Sequence, residues 1–334
     1  MKKRAMFKGL GIITLVLFLG LVMAGVCSAK NPITLRVLCA WPPTIATSQT
    51  YFIWEDMVKD AVAKKYPGEL IFQRVGGPES IPTKQQIEAV RTGVVDVNYT
   101  AIGYYVGLFP ASRAILLTET QPWEERENGA YDLLNKLHQE KVNSYYLGRV
   151  VTGNFQLWSR KKITKPDLKG LRIRSNPIYN PITKFLGGTP LDIPQVDVYS
   201  SIERNLIDAY WSASLGIRNW GWHEVTKYAL GPATYTLPSV VLINLQAWNK
   251  IPKHLQTLLI EVTEQAEREE VARKDAQLKE ERVTLEKFGI EYVKWSPADE
   301  ASFLKNAYGL GWDLINKKDP VNGPKLEALM RKSR

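Results

Sequence analysis

The sequence predicts an α/β protein made of two lobes, with a hinge and a central cleft between them. Its N-terminal third alternates strand and helix patterns in the order of a parallel sheet, and a second alternation of this kind begins near Gly153. A helical pattern of more than thirty residues follows Pro252, which is unusually long for a helix within one globular lobe. We therefore expect two α/β lobes and one long interlobe helix.

The N-terminus has the pattern of a secretory signal peptide. An apolar run covers residues 10–26, and small residues follow it. The residues before the run are basic: Lys2, Lys3, Arg4 and Lys8. We predict that residues 1–29 are removed by cleavage after Ala29 and that the mature protein is periplasmic. An uncleaved membrane anchor and a lipid attached to Cys27 are the alternatives.

The charge balance favours a small anionic ligand over a nucleic acid. Removing residues 1–29 removes four positive charges and no negative charge, so the formal net charge falls from +10 to +6. The remaining basic residues are scattered, and residues 268–287 mix both signs, whereas a nucleic-acid surface needs clustered Lys and Arg. Cys39 is then the single cysteine, so no intramolecular disulfide is expected and stability must come from an apolar core.

The first lobe is predicted from five segments in βαβαβ order. We expect strands at Ile33–Cys39, 70–75 and 94–97, and helices at 48–65 and 83–91. A parallel sheet of this kind binds ligands beyond the carboxyl ends of its strands. This rule places three segments at the ligand-binding edge of the lobe: Trp41, residues 76–79 and residues 98–100.

The second lobe is predicted between Gly153 and Trp211. Its patterned segments are helices at 178–186 and 198–205 and strands at 189–193 and 206–211. Residues 226–245 then form extended segments, interrupted at Gly231 and Pro238, that return the chain to the first lobe. Two crossings between lobes indicate a hinge.

The long helix that follows has an apolar stripe with charges between its members. The stripe consists of Leu255, Leu258, Leu259, Val262, Ala266, Val271, Leu278 and Leu285. A coiled coil is the alternative, but polar residues interrupt the stripe around Asp275, so we expect a helix that braces both lobes. The predicted division of the chain is residues 30–150 for the first lobe, 151–235 for the second, 236–285 for the return with the long helix, and 286–334 for a C-terminal segment packed on the second lobe.

A short strand carries the most informative charged residues. Lys169 and Gly170 indicate a turn, and the alternation after it predicts that Arg172 and Arg174 project from one face of a strand. A guanidinium can donate two parallel, charge-assisted hydrogen bonds to a carboxylate and stays ionised when water is removed. One of these arginines is therefore a candidate for capturing an anionic ligand, and the alternative is that both are solvated surface residues.

The segment Asp-Leu-Lys-Gly-Leu-Arg-Ile-Arg at 167–174 resembles a motif of the DctP-type solute-binding proteins of tripartite ATP-independent periplasmic (TRAP) transporters. The stretches Val-Tyr-Ser-Ser-Ile at 198–202 and Ile-Asp-Ala-Tyr-Trp at 207–211 extend the resemblance. It implies the two-lobed periplasmic binding protein fold, with Arg174 pairing a substrate carboxylate, and a membrane permease as partner. It also implies that Trp211 faces the ligand and that Ser212 occupies the position of an asparagine in some relatives.

The sequence departs from the family pattern in one respect that concerns the ligand. Many relatives carry a second arginine some twenty residues before the carboxylate-binding one, and here that region reads Asn154, Phe155, Gln156. A dicarboxylate would leave one desolvated charge unpaired, which costs several kcal/mol. The expected ligand is therefore a monocarboxylate, bound without a cofactor or a metal by a protein that we expect to be a monomer. A metal ion that bridges the ligand carboxylate is the alternative.

Aromatic and polar residues at predicted strand ends complete the expected site. Those expected to hydrogen-bond the ligand are Asn154, Gln156, Ser212 and Tyr235. Those expected to shape the pocket are Trp41, Tyr99, Phe155, Tyr179 and Trp211.

Enzymatic chemistry finds little support in this sequence. Its three histidines have no Cys or acidic partner at metal-ligand spacing, and no nucleophile or phosphate-binding motif is present. Asp192 and Asp197 are the strongest candidates for a catalytic carboxylate pair. A secreted enzyme, a binding protein for another importer or sensor, and an envelope protein that dimerises through the long helix remain the alternatives.

Overall fold

The computed structural model describes residues 32–332, except the side chains of residues 150–152. The predicted signal peptide, residues 1–29, lies outside the described residues. No helix within residues 32–332 combines the length and the apolar composition needed to cross a membrane.

The described chain contains both strands and helices in each lobe. The strands are β1 (Ile33–Cys39), β2 (Leu70–Gly76), β3 (Val97–Ala101), β4 (Ser144–Ser159), β5 (Arg172–Ser175), β6 (Thr189–Asp192), β7 (Ala209–Ala213), β8 (Tyr228–Asn244) and β9 (Glu291–Val293). The helices are α1 (Ala46–Lys65), α2 (Gln86–Arg91), α3 (Ala114–Leu117), α4 (Pro122–Glu127), α5 (Ala130–Val142), α6 (Asn180–Phe185), α7 (Val198–Glu203), α8 (Leu245–Lys250), α9 (Lys253–Lys287), α10 (Pro297–Lys318) and α11 (Gly323–Met330). Single 3-10 turns include Thr83–Gln85 and Ile102–Tyr104.

One mixed sheet connects the two lobes. Its strand order is β2-β1-β3-β8-β4-β7-β5-β6, and β9 also pairs with β8. The parallel pairs β1/β2 and β1/β3 form the first lobe, and the parallel pairs β5/β6 and β5/β7 form the second. The long strands β4 and β8 run antiparallel between them and belong to both lobes. The carboxyl ends of the parallel strands in each lobe are the edges where a ligand site is expected.

The two long strands change partners midway along their length. The C-terminal part of β8 pairs with β3, and the C-terminal part of β4, from Phe155 to Ser159, pairs with β7. The β4/β8 register is irregular between Val151 and Phe155, where Gly153 has φ 136°. Opposite it on β8, Tyr235 has φ 53°, which is uncommon for a residue other than glycine. Each of the two strands that connect the lobes therefore contains a local irregularity, as expected at a hinge.

The helix α9 braces both lobes, as its length predicts. In the first lobe, the indole N–H of Trp54 on α1 donates to the Thr263 hydroxyl at 2.9 Å. In the second lobe, Arg218 forms an ion pair with Glu281 at 2.7 Å. The buried members of the predicted stripe lie towards its two ends: Leu255, Leu258, Leu259, Val262, Ala266 and Leu285.

The first lobe differs from expectation at the start of β3, which begins at Val97 rather than at residue 94. The Asp96 carboxylate accepts the Arg36 backbone N–H at 2.8 Å and also pairs with the Arg36 guanidinium. The β-branched pair Val94-Val95 was not sufficient to extend the strand, although the Asp96 backbone bonds to the Arg36 carbonyl at 2.9 Å and to the Asn244 N–H at 2.8 Å. The carboxyl end of β3 consequently moves to Ala101.

The C-terminal helices contact both lobes. Helix α10 packs against α6 of the second lobe and against α3 of the first, and α11 packs against α3 and α5. Gly311 on α10 lies so close to Leu117 that a Cβ at this position would meet its side chain at 2.7 Å. The segment was predicted to pack on the second lobe, and it contacts the first lobe as well.

Candidate functional site

A cavity of 330 Å³ lies between the lobes. The first lobe contributes segments that follow β1 and β3, and the second contributes segments that follow β5, β6 and β7. Most of the lining lies at or beyond the carboxyl ends of parallel strands, the position expected for a ligand site, and further residues come from β4, β8 and α3. The cavity is therefore the candidate binding site.

Arg174 enters this cavity from β5. Its neighbour Ile173 is fully buried on the other face of the strand, so the alternation of side chains directs Arg174 towards the cleft. Its Nε donates to the Ile193 carbonyl at 3.1 Å, and its Nη1 donates to the Trp211 carbonyl at 2.9 Å. These two bonds fix the plane of the guanidinium. Within residues 32–332, no carboxylate forms an ion pair with it.

The charge of Arg174 has no anionic partner in direct contact among the described residues. Burial lowers the pKa of Arg174, and the negative charge of Asp192 opposes that shift. A guanidinium with a lowered pKa still stays charged at neutral pH, because its ordinary pKa exceeds 12. Burial also raises the pKa of Tyr104, so this residue presents a neutral hydroxyl. A desolvated charge without an anionic partner is costly, and a bound carboxylate would relieve that cost.

Aromatic rings form much of the cavity wall. Tyr179 stacks on Trp211 with ring centroids 5.4 Å apart, and Phe155 meets Tyr179 edge-on at 4.9 Å. The indole N–H of Trp211 donates a hydrogen bond to the Thr183 hydroxyl at 3.0 Å. Trp211 therefore acts through its ring and through the carbonyl that orients the arginine, and not as a hydrogen-bond donor to a ligand. Trp41 supplies a wall from the first lobe.

A second buried arginine supports the same wall. Arg113, which belongs to the first lobe and is 2% exposed, donates to the Ile178 carbonyl at 2.9 Å and to the Pro177 carbonyl at 2.5 Å. It does not line the cavity. Its two bonds tie the second-lobe segment that leads into Tyr179 to the first lobe. Its charge also makes the potential around the cavity more positive, which favours an anion.

Six residues predicted from the sequence line the cavity together: Trp41, Phe155, Arg174, Tyr179, Trp211 and Ser212. They come from β4 and from the segments that follow or include β1, β5 and β7, so the fold brings distant parts of the chain to one place.

Two polar predictions on β4 are wrong. The amide of Asn154 donates to the Tyr235 carbonyl at 2.9 Å, and the amide of Gln156 donates to the Leu230 carbonyl at 2.8 Å. Both residues line a separate groove. The reason is the two-residue period of a strand: because Phe155 faces the cavity, the residues on either side of it face away.

Two tyrosine predictions are also wrong. Tyr99 is fully buried and packs against Trp41 at 5.7 Å and Tyr51 at 5.1 Å, behind the cavity wall. The hydroxyl of Tyr235 donates to the Ala307 carbonyl of α10 at 2.8 Å, so it is used within the fold. Neither residue lines the cavity.

Tyr104, Lys84 and Asp192 line the cavity but were not predicted to bind the ligand. Tyr104 follows β3 and obeys the strand-end rule, but the early predicted end of β3 placed that edge at residues 98–100. Lys84 and Asp192 form an ion pair across the cleft, with 3.1 Å between Nζ and Oδ2. Of the two carboxylates considered for catalysis, Asp192 is engaged in this pair and Asp197 does not line the cavity. No local pattern in the sequence indicates the contact between Lys84 and Asp192.

The described residues contain no group of three or more His, Cys, Asp or Glu side chains arranged to hold a metal ion. His138 lies in the core, with Nε2 3.0 Å from the Tyr105 hydroxyl, and His254 lies 2.7 Å from a Glu69 carboxylate oxygen.

Comparisons with known proteins agree with this geometry. The model of the family "Bacterial extracellular solute-binding protein, family 7" (DctP) matches residues 44–310. The monocarboxylate 2-oxoacid-binding periplasmic protein of Nostoc is 25% identical over 241 residues, which are 69% of this chain and 65% of that relative.

Solved structures share the fold. A TRAP periplasmic solute-binding protein of Desulfovibrio salexigens with bound orotic acid has a TM-score of 0.78 at 18% identity, covering 89% of this chain and 97% of its own. An extracytoplasmic solute receptor of Bordetella pertussis that binds pyroglutamic acid has a TM-score of 0.77 at 18% identity, covering 90% and 99%. The predicted two-lobed fold and the family resemblance are both confirmed. The chain belongs to bacterial extracellular solute-binding protein family 7, the DctP family of TRAP solute-binding proteins.

Proposed function

We propose that this protein captures an organic monocarboxylate in the periplasm and delivers it to the membrane permease of a TRAP transporter. The observation that carries the proposal is the Arg174 guanidinium, which lies partly buried in the interlobe cavity, is oriented by two carbonyls and has no ion-pair partner among the described residues. Residues 1–29 would direct the chain across the membrane and be removed.

Different residues of the cavity contact the carboxylate and the apolar body of the ligand. Arg174 pairs the carboxylate, and the hydroxyls of Ser212 and Tyr104 provide neutral hydrogen-bonding groups near it. The aromatic wall, with Trp41 on one lobe and Tyr179 on the other, packs against the apolar body of the ligand. Closure of the lobes excludes water and strengthens the ion pair, so the ligand favours the closed state.

A ligand with one carboxylate suits the charges of the cavity. Among the described lining residues, Arg174 and Lys84 are the cations and Asp192 is the anion, so the formal balance is one positive charge. The name of the Nostoc relative specifies a monocarboxylate, and orotic acid and pyroglutamic acid each carry one carboxyl group. These relatives support the class of ligand without identifying the acid.

A thermal-shift screen of residues 30–334 against mono- and dicarboxylates tests the proposal. A ligand at one hundred times its Kd stabilises the protein by about 2.7 kcal/mol. We expect monocarboxylates to raise the Tm of the wild type and of Arg172→Met, and not that of Arg174→Met. The proposal fails if no organic acid shifts the wild type, or if Arg174→Met retains the shift.

A further inference from the structure

Lys84 and Asp192 face each other across the mouth of the ligand cavity. Lys84 lies in the 3-10 turn Thr83–Gln85 of the first lobe, and Asp192 ends β6 in the second lobe. Their ion pair, at 3.1 Å, joins two elements that come together only in the folded protein. Both side chains line the same cavity as Arg174. The cavity therefore contains a second cation, whose charge is already matched by an anion from this chain.

The strand pairing holds Asp192 near Arg174. In the parallel β5/β6 register, Arg174 is opposite Leu191 and Ser175 is opposite Asp192. The next residue, Ile193, accepts the Nε hydrogen bond of Arg174. The negative charge of Asp192 also acts on the Arg174 guanidinium. Any ligand held by Arg174 that extends towards Lys84 thus approaches the Asp192 carboxylate.

We propose that Asp192 is a specificity-determining residue, which restricts the cavity to monocarboxylates by neutralising Lys84. This inference rests on the proposed function. A second ligand carboxylate reaching Lys84 has to displace Asp192 or lie beside it, and two carboxylates at one site repel each other. The pair therefore rejects dicarboxylates by repulsion, while a ligand with an apolar end meets no such penalty.

The simpler alternative is that the Lys84–Asp192 pair only stabilises the fold. Because both side chains are largely exposed, that contribution should be small. The side chains of Lys84 and Asp192 are 67% and 56% exposed, and exposed ion pairs contribute little to stability. Asp192→Asn keeps the size of the side chain and removes its charge. This variant should fold, which allows its ligand preference to be measured.

Two acids of equal chain length provide the test. 2-Oxopentanoate and 2-oxoglutarate share five carbons and a 2-oxo group and differ in a terminal methyl or carboxylate. Titration calorimetry of the wild type should show weaker binding of 2-oxoglutarate. In Asp192→Asn, we expect the Kd of 2-oxoglutarate to fall about tenfold, because the freed Lys84 can pair the second carboxylate. The affinity for 2-oxopentanoate should rise less than that for 2-oxoglutarate, since its carboxylate at Arg174 senses only the loss of the Asp192 charge and it has no group for Lys84.

A double variant controls for indirect effects. Lys84→Met/Asp192→Asn should lose the gain for 2-oxoglutarate, since the gain depends on the lysine. Asp192→Glu keeps the charge and should show no gain. The inference is overturned if Asp192→Asn gains no affinity for 2-oxoglutarate, if the double variant keeps the gain, or if the wild type already binds both acids equally.

The two proposals fail in different ways. Failure of the proposed function appears as a wild type that no organic acid stabilises through Arg174. Failure of this inference appears as a wild type with normal Arg174-dependent binding whose Asp192→Asn variant is unchanged. An Asp192→Asn variant that binds 2-oxoglutarate no more tightly than the wild type overturns the inference, including the case in which neither protein binds this acid.

Discussion

Arg149 and Arg174 have different surroundings, and we assign the first to the stability of the fold and the second to ligand binding. Arg149, on the first-lobe part of β4, is 2% exposed and forms two hydrogen bonds with Glu125 at 2.9 and 3.1 Å. Its Nη2 also donates to the Thr120 carbonyl at 2.9 Å. Arg174, in the cleft, is held by carbonyls alone. A carboxylate of the protein completes the first site, whereas the second leaves that position for a ligand.

The network around Arg149 extends the contrast. Glu125 also accepts the Thr118 hydroxyl at 2.7 Å, and Glu267 on α9 accepts the Arg149 backbone N–H at 2.9 Å. Arg126 completes the network by pairing with Glu267 at 3.1 Å. Charges in this region have partners within the chain, so the network stabilises the fold and has no evident use in binding. The absence of a carboxylate partner among the described residues, together with access to the cavity, therefore distinguishes Arg174 as the candidate for binding.

The largest expected effect is on stability, from Arg149→Met. Removing the guanidinium leaves Glu125 buried without its partner, which we expect to cost about 3–5 kcal/mol of unfolding free energy. Denaturant unfolding measures this loss. Arg149→Met/Glu125→Leu should recover part of it, because both charges are then absent. A loss below about 1 kcal/mol in the single variant would contradict the assigned role.

Arg174→Met should give the next largest effect, on binding. We expect affinity for the bound acid to fall about 100-fold or more, since a buried charge pair is broken and the ligand carboxylate has no replacement. The unfolding free energy should stay constant or rise, because a desolvated cation is removed. Titration calorimetry and denaturant unfolding of the same variant provide both values. Equal losses of stability and affinity would remove the distinction between the two arginines.

The pH dependence of stability should come from the core and not from the cleft. Burial lowers the pKa of His138 to about 4, below its ordinary value of 6.5. The unfolded chain therefore binds a proton more readily, and stability is lost as the pH falls below about 6.5. This group alone should account for about 2 kcal/mol between pH 7 and pH 5.

The variant His138→Gln tests that assignment. The unfolding free energy of this variant relative to that of the wild type should rise by about 2 kcal/mol as the pH falls from 7 to 5, whatever its absolute stability. Ligand affinity of the wild type should stay nearly constant between pH 7 and pH 5, because Arg174 remains charged throughout. If the unfolding free energy depends on pH in the same way in His138→Gln and in the wild type, the assignment to His138 is wrong.

The smallest expected effect is that of Arg172→Met, the matched control on the same strand. Arg172 is 45% exposed and pairs with Asp208 at 3.3 Å, so its loss should cost less than about 1 kcal/mol of stability. Ligand affinity should remain unchanged, because Arg172 does not line the cavity. A large loss of affinity in this variant would mean that Arg174→Met acts through the strand and not through its charge.

Much of the fold could be predicted from the sequence because its signals are local. The periodicity of β1 and of the long helix α9, and the turn before Arg174, each depend on neighbouring residues. The predicted role of Arg174 agrees with its position in the cavity and remains a proposal about binding.

The errors in the predicted site have two physical causes. Asn154 and Gln156 were placed beside Phe155 in the pocket, although a strand can present only alternate residues to one side. The Lys84–Asp192 pair joins residues 108 positions apart, and no local pattern encodes such a contact. The bounds of β3 were predicted too early because the β-branched pair Val94-Val95 indicated a strand, whereas β3 begins at Val97.

The most direct test of the account is a crystal structure with the acid selected by the thermal-shift screen. We predict that the lobes enclose the acid and that its carboxylate oxygens lie about 2.7–3.1 Å from the Arg174 guanidinium nitrogens. A carboxylate bound elsewhere in the protein, with Arg174 still bonded only to the Ile193 and Trp211 carbonyls, would contradict the central claim.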